Sequence, residues 1–398
     1  MLEKYPHKPE ASLPPNRSVL LIIFCLSLGI PSTGTVYKYF SYPGLIAYIT
    51  VVFLAVFLGY RFVIAKFLSL VTEKQAFWLM WLTLLGLLVA FVIVYPVANS
   101  GLMGGGSDRD EALNIAATEL VHLRYPYYNK TYLGGPISPL PGAIVLAIPF
   151  VLIGNSAYQN FFWLMAFFQF IKIYLKDGRL ALIFIWSILG LCPEILREFL
   201  TGGDGLANSI YILIFILLLI RLISDSNISK LLKILVAILL GIGFSSRPHL
   251  ILLLPLVFSI LIQKNEFKIA AKYMLLICTA LVAVTLPFYL YAPQAFSPLH
   301  QTTKLSQFRS ILPFAEVIIP LVGGTIACCL AFQRMDNQGR LLMRNCAIVQ
   351  AFIVLSPVVL SSILSGKWSF NFINYGIYFL FFGSLYSLIS LLETETHY

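Results

Sequence analysis

Apolar runs of roughly 18 or more residues recur from one end of this chain to the other, and they restrict its fold more than any other feature. Of the 398 residues, 59% are hydrophobic and only 11% are charged. A soluble domain carries about 25% charged residues, so this chain has too little charge for a water-exposed surface. Because lipid offers no hydrogen-bond partners, each crossing segment must pair its own backbone groups as a helix. The sequence predicts an all-α, polytopic helical membrane protein with about 11–13 transmembrane helices.

The charge of the chain does not indicate a nucleic-acid partner. The formal net charge is +10, but the lysines and arginines form short clusters between apolar runs, as the positive-inside rule requires. The six cysteines show no CxxC or Cys/His spacing, which favours apolar packing over a metal site or disulfides. The first apolar run, 18–30, has no small-x-small cleavage site and leads into more membrane, so we expect no cleavable signal.

The basic clusters predict which links between spans face the cytoplasm. They place there the N-terminal tail and the links at 61–74, 221–233, 264–272 and 334–344. Counting three spans from the tail places residues 99–136 outside, whereas counting back from the later basic links places them inside. Either a segment between 137 and 200 only dips into the membrane, or the link with Lys172, Lys176 and Arg179 breaks the rule. The prolines in this region favour a half-span.

Two hydrophilic segments, 99–136 and 292–310, are long enough for function. We expect an N-terminal tail with three spans over 1–98 and an external catalytic loop with an interfacial helix over 99–136. The remaining transmembrane bundle covers 137–398 and includes the external loop 292–310.

The most unusual polar segment is GGGSDRDEALNIAATEL, residues 104–120, in which three acids and an arginine follow three glycines. The spacing of Leu113, Ala116, Ala117, Leu120 and Leu123 predicts an amphipathic helix over 110–124. This helix is too short to span a membrane, so we expect it to lie in the interface plane.

The acids at the beginning of this helix have two alternative roles, helix capping and catalysis. Ser107 or Asp108 is a candidate N-cap, with Asp110 or Glu111 closing a capping box. A carboxylate at the membrane boundary can also act as a general base toward a lipid-linked substrate, and the glycines would let a ligand approach the backbone. Asp108-Arg109-Asp110 reads as a DxD, but without further oxygen ligands it does not define a metal site.

A loop rich in tyrosine, proline and glycine follows the helix and runs into the next span. Its tyrosines are Tyr125, Tyr127, Tyr128 and Tyr132. They form either an aromatic belt at the membrane interface or a stacking surface for a sugar, and the sequence does not separate these two interpretations.

The order of these features resembles the first external loop of GT-C glycosyltransferases, which are integral membrane enzymes with polyprenyl-phosphate sugars as donors. The resemblance covers residues 76–263, and its order is more specific than any one motif. The matching pieces are the acids at 108–111, Pro126-Tyr127, SPLPG at 138–142, Pro149-Phe150, GGDGLAN at 202–208 and GIGFSSRP at 241–248. The chain departs from the family in having two apparent spans before the one that leads into the loop, and in lacking a soluble C-terminal domain.

The resemblance implies an inverting hexosyl- or pentosyltransferase, similar to mannosyl- and arabinofuranosyltransferases of the cell envelope. Its partners would be a polyprenyl-phosphate-linked sugar and a lipid or glycan acceptor. The implied location is the bacterial plasma (inner) membrane, with the active site on the external, periplasmic side. No cofactor is required by this reading, and a divalent cation remains an alternative.

The resemblance also implies roles for particular residues. Asp110 matches the general base most closely, Asp108 is the other candidate, and Glu111 supports them. The candidate cations for the donor phosphate are Arg247, Arg109, Lys304 and Arg309. The candidate contacts for sugar or acceptor are Tyr127, Tyr128, Tyr132, His122, Asp204 and Asn208. Glu194 and Glu198 flank Arg197, and for these three we expect a local ion pair.

Two other classes of function stay open. A transporter or flippase for lipid-linked sugars would carry ionisable residues near the bilayer midplane and inverted repeats, and the sequence shows neither. A non-catalytic protein of envelope assembly could keep the acidic loop without using it.

Overall fold

The computed structural model describes residues 16–100, 108–225, 227–299, 304–336 and 339–396. Within these residues the chain is helical and contains no β-strand, apart from one isolated bridge between Lys130 and Pro136. The α-helices are α1 Arg17–Gly29, α2 Thr33–Leu58, α3 Ile64–Leu70, α4 Glu73–Asn99, α5 Arg109–Val121, α6 Pro141–Leu152, α7 Gln159–Leu175, α8 Gly178–Leu191, α9 Pro193–Leu200, α10 Gly205–Ser224, α11 Lys230–Phe244, α12 Leu254–Lys264, α13 Phe267–Tyr291, α14 Ala315–Ala331, α15 Arg340–Ser365 and α16 Ile377–Thr396.

The predicted all-α polytopic class is confirmed. In the described part of the chain, 6 helical stretches are long and apolar enough to cross a membrane, or up to 8 if each of two bent helix pairs counts as one span. The stretches are Arg17–Leu70, Glu73–Ala98, Gly205–Ser224, Phe267–Tyr291, Arg340–Ser365 and Ile373–Glu393.

This number is lower than the predicted 11–13 for a physical reason. The first stretch is 54 residues long and contains two of the predicted spans. It is interrupted at Ser41, whose φ of 56° lies outside the helical range just before Pro43. Two further predicted spans, 248–263 and 312–332, correspond to helices of fewer than 18 residues, Pro248–Lys264 and Ala315–Ala331. The sequence therefore contains more apolar runs than the described residues contain helices long enough to cross a membrane.

The predicted half-span between 137 and 200 corresponds to α6. This helix has 12 residues, or about 18 Å, against a hydrocarbon core of about 30 Å. It meets α7 at an angle of 99°. The Gly142 amide at its beginning donates to the Ser245 carbonyl at 2.8 Å, and Asn155 beyond its end donates to the Tyr95 hydroxyl at 2.7 Å. Ser245 and Tyr95 both lie near the C-terminal ends of their helices, so α6 does not carry the chain across the bundle.

The predicted cytoplasmic links gather at one end of the bundle. The Gly178 amide donates to Glu73 at 2.9 Å, which joins the links before α4 and α8. Tyr174, at the end of α7, lies within electrostatic range of Arg221, Asp336 and Glu393. The basic link at 172–179 therefore lies at the same end of the bundle as these other links, and a half-span at α6 would supply the missing crossing.

Helix α10 forms the centre of the bundle. In its 18-residue apolar window 89% of the residues are buried, and it packs against α7, α11 and α16. A helix that is apolar on all sides belongs in such a core. Its N-terminus follows the turn at 202–204, which places this turn in the middle of the end opposite the basic links.

Candidate functional site

The acidic helix α5 begins at Arg109, close to the predicted start, and buries the predicted apolar stripe at Leu113, Ala116 and Ala117. Leu123 does not belong to this stripe. It lies beyond the helix end with φ of 58° and is 94% exposed. The predicted interfacial helix thus packs one face against the protein.

Asp108 occupies the N-cap position, but the prediction that its side chain caps the helix is wrong. Its Oδ2 instead accepts a hydrogen bond from the Thr131 hydroxyl at 2.7 Å. Glu111 does not close a capping box either, because its Oε2 accepts from the Tyr132 amide at 2.8 Å. Both carboxylates therefore tie α5 to the loop that follows it. Ser107 and the three glycines lie outside the described residues.

Asp110 is the buried acid of the first turn, with only 3% of its surface exposed. Its Oδ2 accepts a hydrogen bond of 2.5 Å from the hydroxyl of Tyr95, at the end of α4. Gly202 packs directly against it, since a Cβ on Gly202 would lie 3.0 Å from the Asp110 Cβ. Gly202 has φ of +72°, a conformation that favours glycine. The sequence segments at 108–111 and 202–208 therefore meet in space.

Arg109 extends from α5 toward a different set of groups. Its Nη1 donates to Glu198 Oε1 in an ion pair with a fully buried carboxylate. Its guanidinium also lies 5.1 Å from the centre of the Tyr375 ring. Burial alone would lower the pKa of Arg109, but the charge of Glu198 raises it. Arg109 is thus bound to the protein rather than left open for a donor phosphate.

The expected local ion pair on α9 is confirmed for Arg197 and Glu194, whose closest atoms are 2.5 Å apart. Glu198 behaves differently, because it lies closer to Arg109 than to Arg197. Arg109 is 89 positions away in the sequence. Sequence spacing shows only the local partner, and for this reason the role of Glu198 was missed.

Asp204 and Arg247 form a second buried ion pair, with side-chain exposures of 1% and 7%. Asp204 Oδ2 accepts from Arg247 Nη2 and from Asn208 Nδ2, the latter at 2.9 Å. Burial alone would raise the pKa of Asp204, but the charges of Arg247 and Arg109 hold it below its usual value. Asn208 in turn accepts from the Tyr211 hydroxyl at 2.5 Å.

These contacts change the predicted role of two residues. Asp204 and Asn208 were expected to contact sugar or acceptor, but both are buried and bonded to protein groups. In the structure they orient Arg247 instead.

A cavity of about 220 Å³ lies beside Arg247. Arg247 and Lys304 supply positive charge to its wall, and Tyr375 separates it from Arg109. Buried Nε of Arg247 and Nε2 of His249 have no hydrogen-bond partner among the described residues. The rest of the lining is apolar and consists of Pro248, Leu252, Leu305, Ile319, Pro320, Ile353, Val354, Pro357 and Phe372. Such a cavity suits a ligand with an anionic group and an apolar chain.

The predicted tyrosines divide into two kinds. Tyr127 is 5% exposed and donates to the Pro139 carbonyl at 3.0 Å, so its hydroxyl is used within the loop. Tyr128 and Tyr132 are 63% and 49% exposed. The Tyr132 amide donates to Glu111, and burial and then the charges of Asp108, Asp110 and Glu111 raise the pKa of the Tyr132 hydroxyl. Tyr132 is therefore half exposed and lies at the acidic end of α5.

Two other predicted residues lie away from this cluster. His122 follows Asp110 by twelve positions on α5, or about 18 Å along the helix axis, and its Nδ1 contacts the Thr118 carbonyl at 2.8 Å. Arg309 forms an exposed ion pair with Glu316 and does not line the cavity. We therefore leave both out of the candidate site.

Sequence reasoning missed Tyr95 and Tyr375 as well as Glu198. The two tyrosines lie near the ends of apolar runs, where a tyrosine is usually interpreted as an anchor at the membrane interface. In the described part of the chain no group of three or more His, Cys, Asp or Glu side chains is placed to hold a metal ion.

Fold and site together define a class: an all-α polytopic membrane protein with buried ion pairs and a charged, otherwise apolar cavity at one end of its bundle. Comparison with models of known protein families, with curated proteins and with solved structures finds no match for the chain. A more specific function must therefore be argued from the chemistry of the site.

Proposed function

We propose that this protein is a membrane glycosyltransferase that moves a sugar from a polyprenyl-phosphate donor to a hydroxyl of a lipid or glycan acceptor. One observation carries the proposal. Arg247 and Lys304 lie in the wall of an otherwise apolar cavity, and the buried Asp110 lies at the same end of the bundle. The resemblance to GT-C enzymes agrees with this combination, and it suggests the external face of a bacterial plasma membrane.

The cavity would receive the phosphate and the first isoprenoid units of the donor. Arg247 is held by Asp204, so its guanidinium is oriented before a ligand binds. A charge-assisted hydrogen bond from it to a phosphate oxygen contributes about 1.5–3 kcal/mol. Lys304 adds a second positive charge, and the apolar walls would contact the hydrocarbon.

In the proposed reaction, the Asp110 carboxylate takes the proton of the acceptor hydroxyl. The acceptor oxygen then forms a bond to the anomeric carbon while the bond from that carbon to the phosphate oxygen breaks on the opposite face. The configuration inverts, and the bonding electrons leave with the polyprenyl phosphate. Arg247 and Lys304 would stabilise its negative charge. The hydrogen bond from Tyr95 keeps the Asp110 carboxylate oriented.

The position of the charged groups favours an enzyme over a transporter. Arg109 begins α5, Asp204 precedes α10, and Arg247 follows α11. These groups occupy helix ends on one side of the bundle, whereas a transporter would place its coupling charges near the midplane.

The test is transfer of a labelled sugar from a polyprenyl-phosphate donor by purified protein in nanodiscs. We expect Asp110→Asn to lower kcat by about 10²–10⁴-fold, the contribution of a general base. Asp108→Asn separates the two candidate acids, and Glu119→Gln, on the same helix but paired with Arg124, is the matched control. If Asp110→Asn and Asp108→Asn both transfer as well as wild type, the base is wrongly assigned. Movement of lipid-linked sugar between leaflets without any transfer would support a flippase instead.

A further inference from the structure

We propose that Glu198 is a positioning residue that holds the beginning of α5 against the turn carrying Asp204. The inference rests on the proposed function, because it gives Glu198 the task of keeping Asp110 aligned with Arg247. It goes beyond that function by assigning a role to a carboxylate that touches neither substrate nor cavity.

The two oxygens of Glu198 bind two segments that are far apart in the sequence. Glu198 is fully buried, and its Oε1 accepts from Arg109 Nη1. Its Oε2 accepts from the backbone N–H of Gly205 at 3.2 Å. Arg109 directly precedes the proposed base Asp110, and Gly205 directly follows Asp204. One carboxylate therefore connects the neighbours of both functional groups.

The turn at 202–205 is shaped around this carboxylate. A Cβ on Gly203 would lie 2.3 Å from Glu198 Oε2, and one on Gly205 would lie 2.9 Å from it. Real Cβ atoms essentially never approach another atom this closely, so a side chain at either position would displace the Glu198 carboxylate. Asn160 fixes the same turn from the other side through a 3.0 Å hydrogen bond to the Gly203 carbonyl.

Glutamine is the informative replacement for Glu198 because every group bonded to its carboxylate is a donor: Arg109, the Gly205 amide and, at 3.5 Å, Arg197. A glutamine amide has one oxygen and one NH₂ group, so it can accept from either Arg109 or Gly205 and must present a donor to the other. One of the two segments is then released. A displacement of about 1 Å at a reacting group can lower a rate by about 10²-fold.

The experiment compares Glu198→Gln with Glu194→Gln in nanodiscs. Glu194 is the matched control, since it is equally buried on the same short helix but its side chain bonds Arg197 and Thr35. Two quantities are measured for each variant: hydrogen exchange of peptides from α5 and from the 202–208 turn, and kcat and donor KM per folded molecule. The double variant Arg109→Gln/Glu198→Gln leaves no unpaired charge, so it provides the same test when the single variant does not fold.

We expect Glu198→Gln to accelerate exchange about tenfold in both peptides, and to lower kcat about 10²-fold with donor KM within about twofold of wild type. Glu194→Gln should leave both quantities unchanged. Equal losses in the two variants, unchanged exchange in Glu198→Gln, or a raised donor KM with normal kcat would each overturn the inference. A wild-type protein without transfer activity would refute the proposed function instead, and the exchange comparison would still decide the role of Glu198.

Discussion

The ion pair between Asp204 and Arg247 can be tested without knowledge of the substrate. Both side chains are almost fully enclosed, with exposures of 1% and 7%, so solvent does not screen their attraction. Removal of one partner from a buried pair destabilises a protein by about 3–5 kcal/mol, because the other charge is left uncompensated. We expect Arg247→Met and Asp204→Asn each to lower the free energy of unfolding by this amount at pH 7.5.

The double variant Asp204→Asn/Arg247→Met tests the origin of this loss. Since it contains neither charge, it should be no less stable than either single variant. Arg124→Met is the surface control. Arg124 is 61% exposed in its ion pair with Glu119, and loss of such a pair changes stability by less than about 1 kcal/mol.

The dependence on pH gives a second signature of the pair. In wild type the pKa of Asp204 is lowered, because Arg247 and Arg109 outweigh burial. The stability from this group is therefore present above its unfolded pKa of about 3.9 and is lost as the pH falls through the lower folded value. In Arg247→Met the largest opposing charge is gone, so burial can raise the pKa of Asp204 and protonation relieves the penalty. This variant should lose less stability at pH 5 than at pH 7.5.

Unfolding followed by tryptophan fluorescence in detergent, at both pH values, measures wild type and the four variants. The reasoning is refuted if Arg247→Met is as stable as wild type, or if the losses of the single variants add in the double variant. A loss in Arg247→Met that grows toward pH 5 would contradict the electrostatic explanation, even if its size at pH 7.5 were as expected.

Three further predictions concern the turn, the cavity and metal dependence. Gly202→Ala should lower the free energy of unfolding by at least about 1–2 kcal/mol, because of its positive φ and the contact with Asp110; Gly86→Ala, with open space at its Cβ, should not destabilise the protein. Lys304→Gln should raise the donor KM about tenfold by removing a charged contact, whereas Arg309→Gln, outside the cavity lining, should leave the KM unchanged in the transfer assay. Transfer should continue in the presence of a chelator, and loss of activity that a divalent cation restores would contradict the metal-free mechanism.

Much of the fold was predictable because it depends on local chemistry. The apolar runs predict helices, since a backbone in lipid must bond within its own segment. The beginning of α5 was predicted within one residue, and the disagreement between two topology counts pointed to the region where α6 and α7 meet at 99°. The predicted 11–13 spans exceed the 6 to 8 membrane-length stretches among the described residues, because a hydropathy pattern does not show where a positive φ or a proline interrupts a helix.

The candidate site was predictable only in part. Asp110, Arg247 and Lys304 were candidates through the resemblance to GT-C enzymes, and they lie at one end of the bundle. The capping role of Asp108 was wrong because Thr131 competes for its carboxylate. Tyr127 was chosen as an aromatic in a polar loop, yet its hydroxyl is used by the Pro139 carbonyl. In both cases the deciding partner lies beyond the range of a local sequence pattern.

The sequence by itself determined the class of this protein, because the need to satisfy backbone groups in lipid acts on each segment separately. Only the tertiary structure decided which charges meet. Arg247 pairs with Asp204 across 43 positions, and Arg109 pairs with Glu198 across 89 positions. Such contacts depend on how the helix ends converge around α10, and the burial they share makes each charge require its partner.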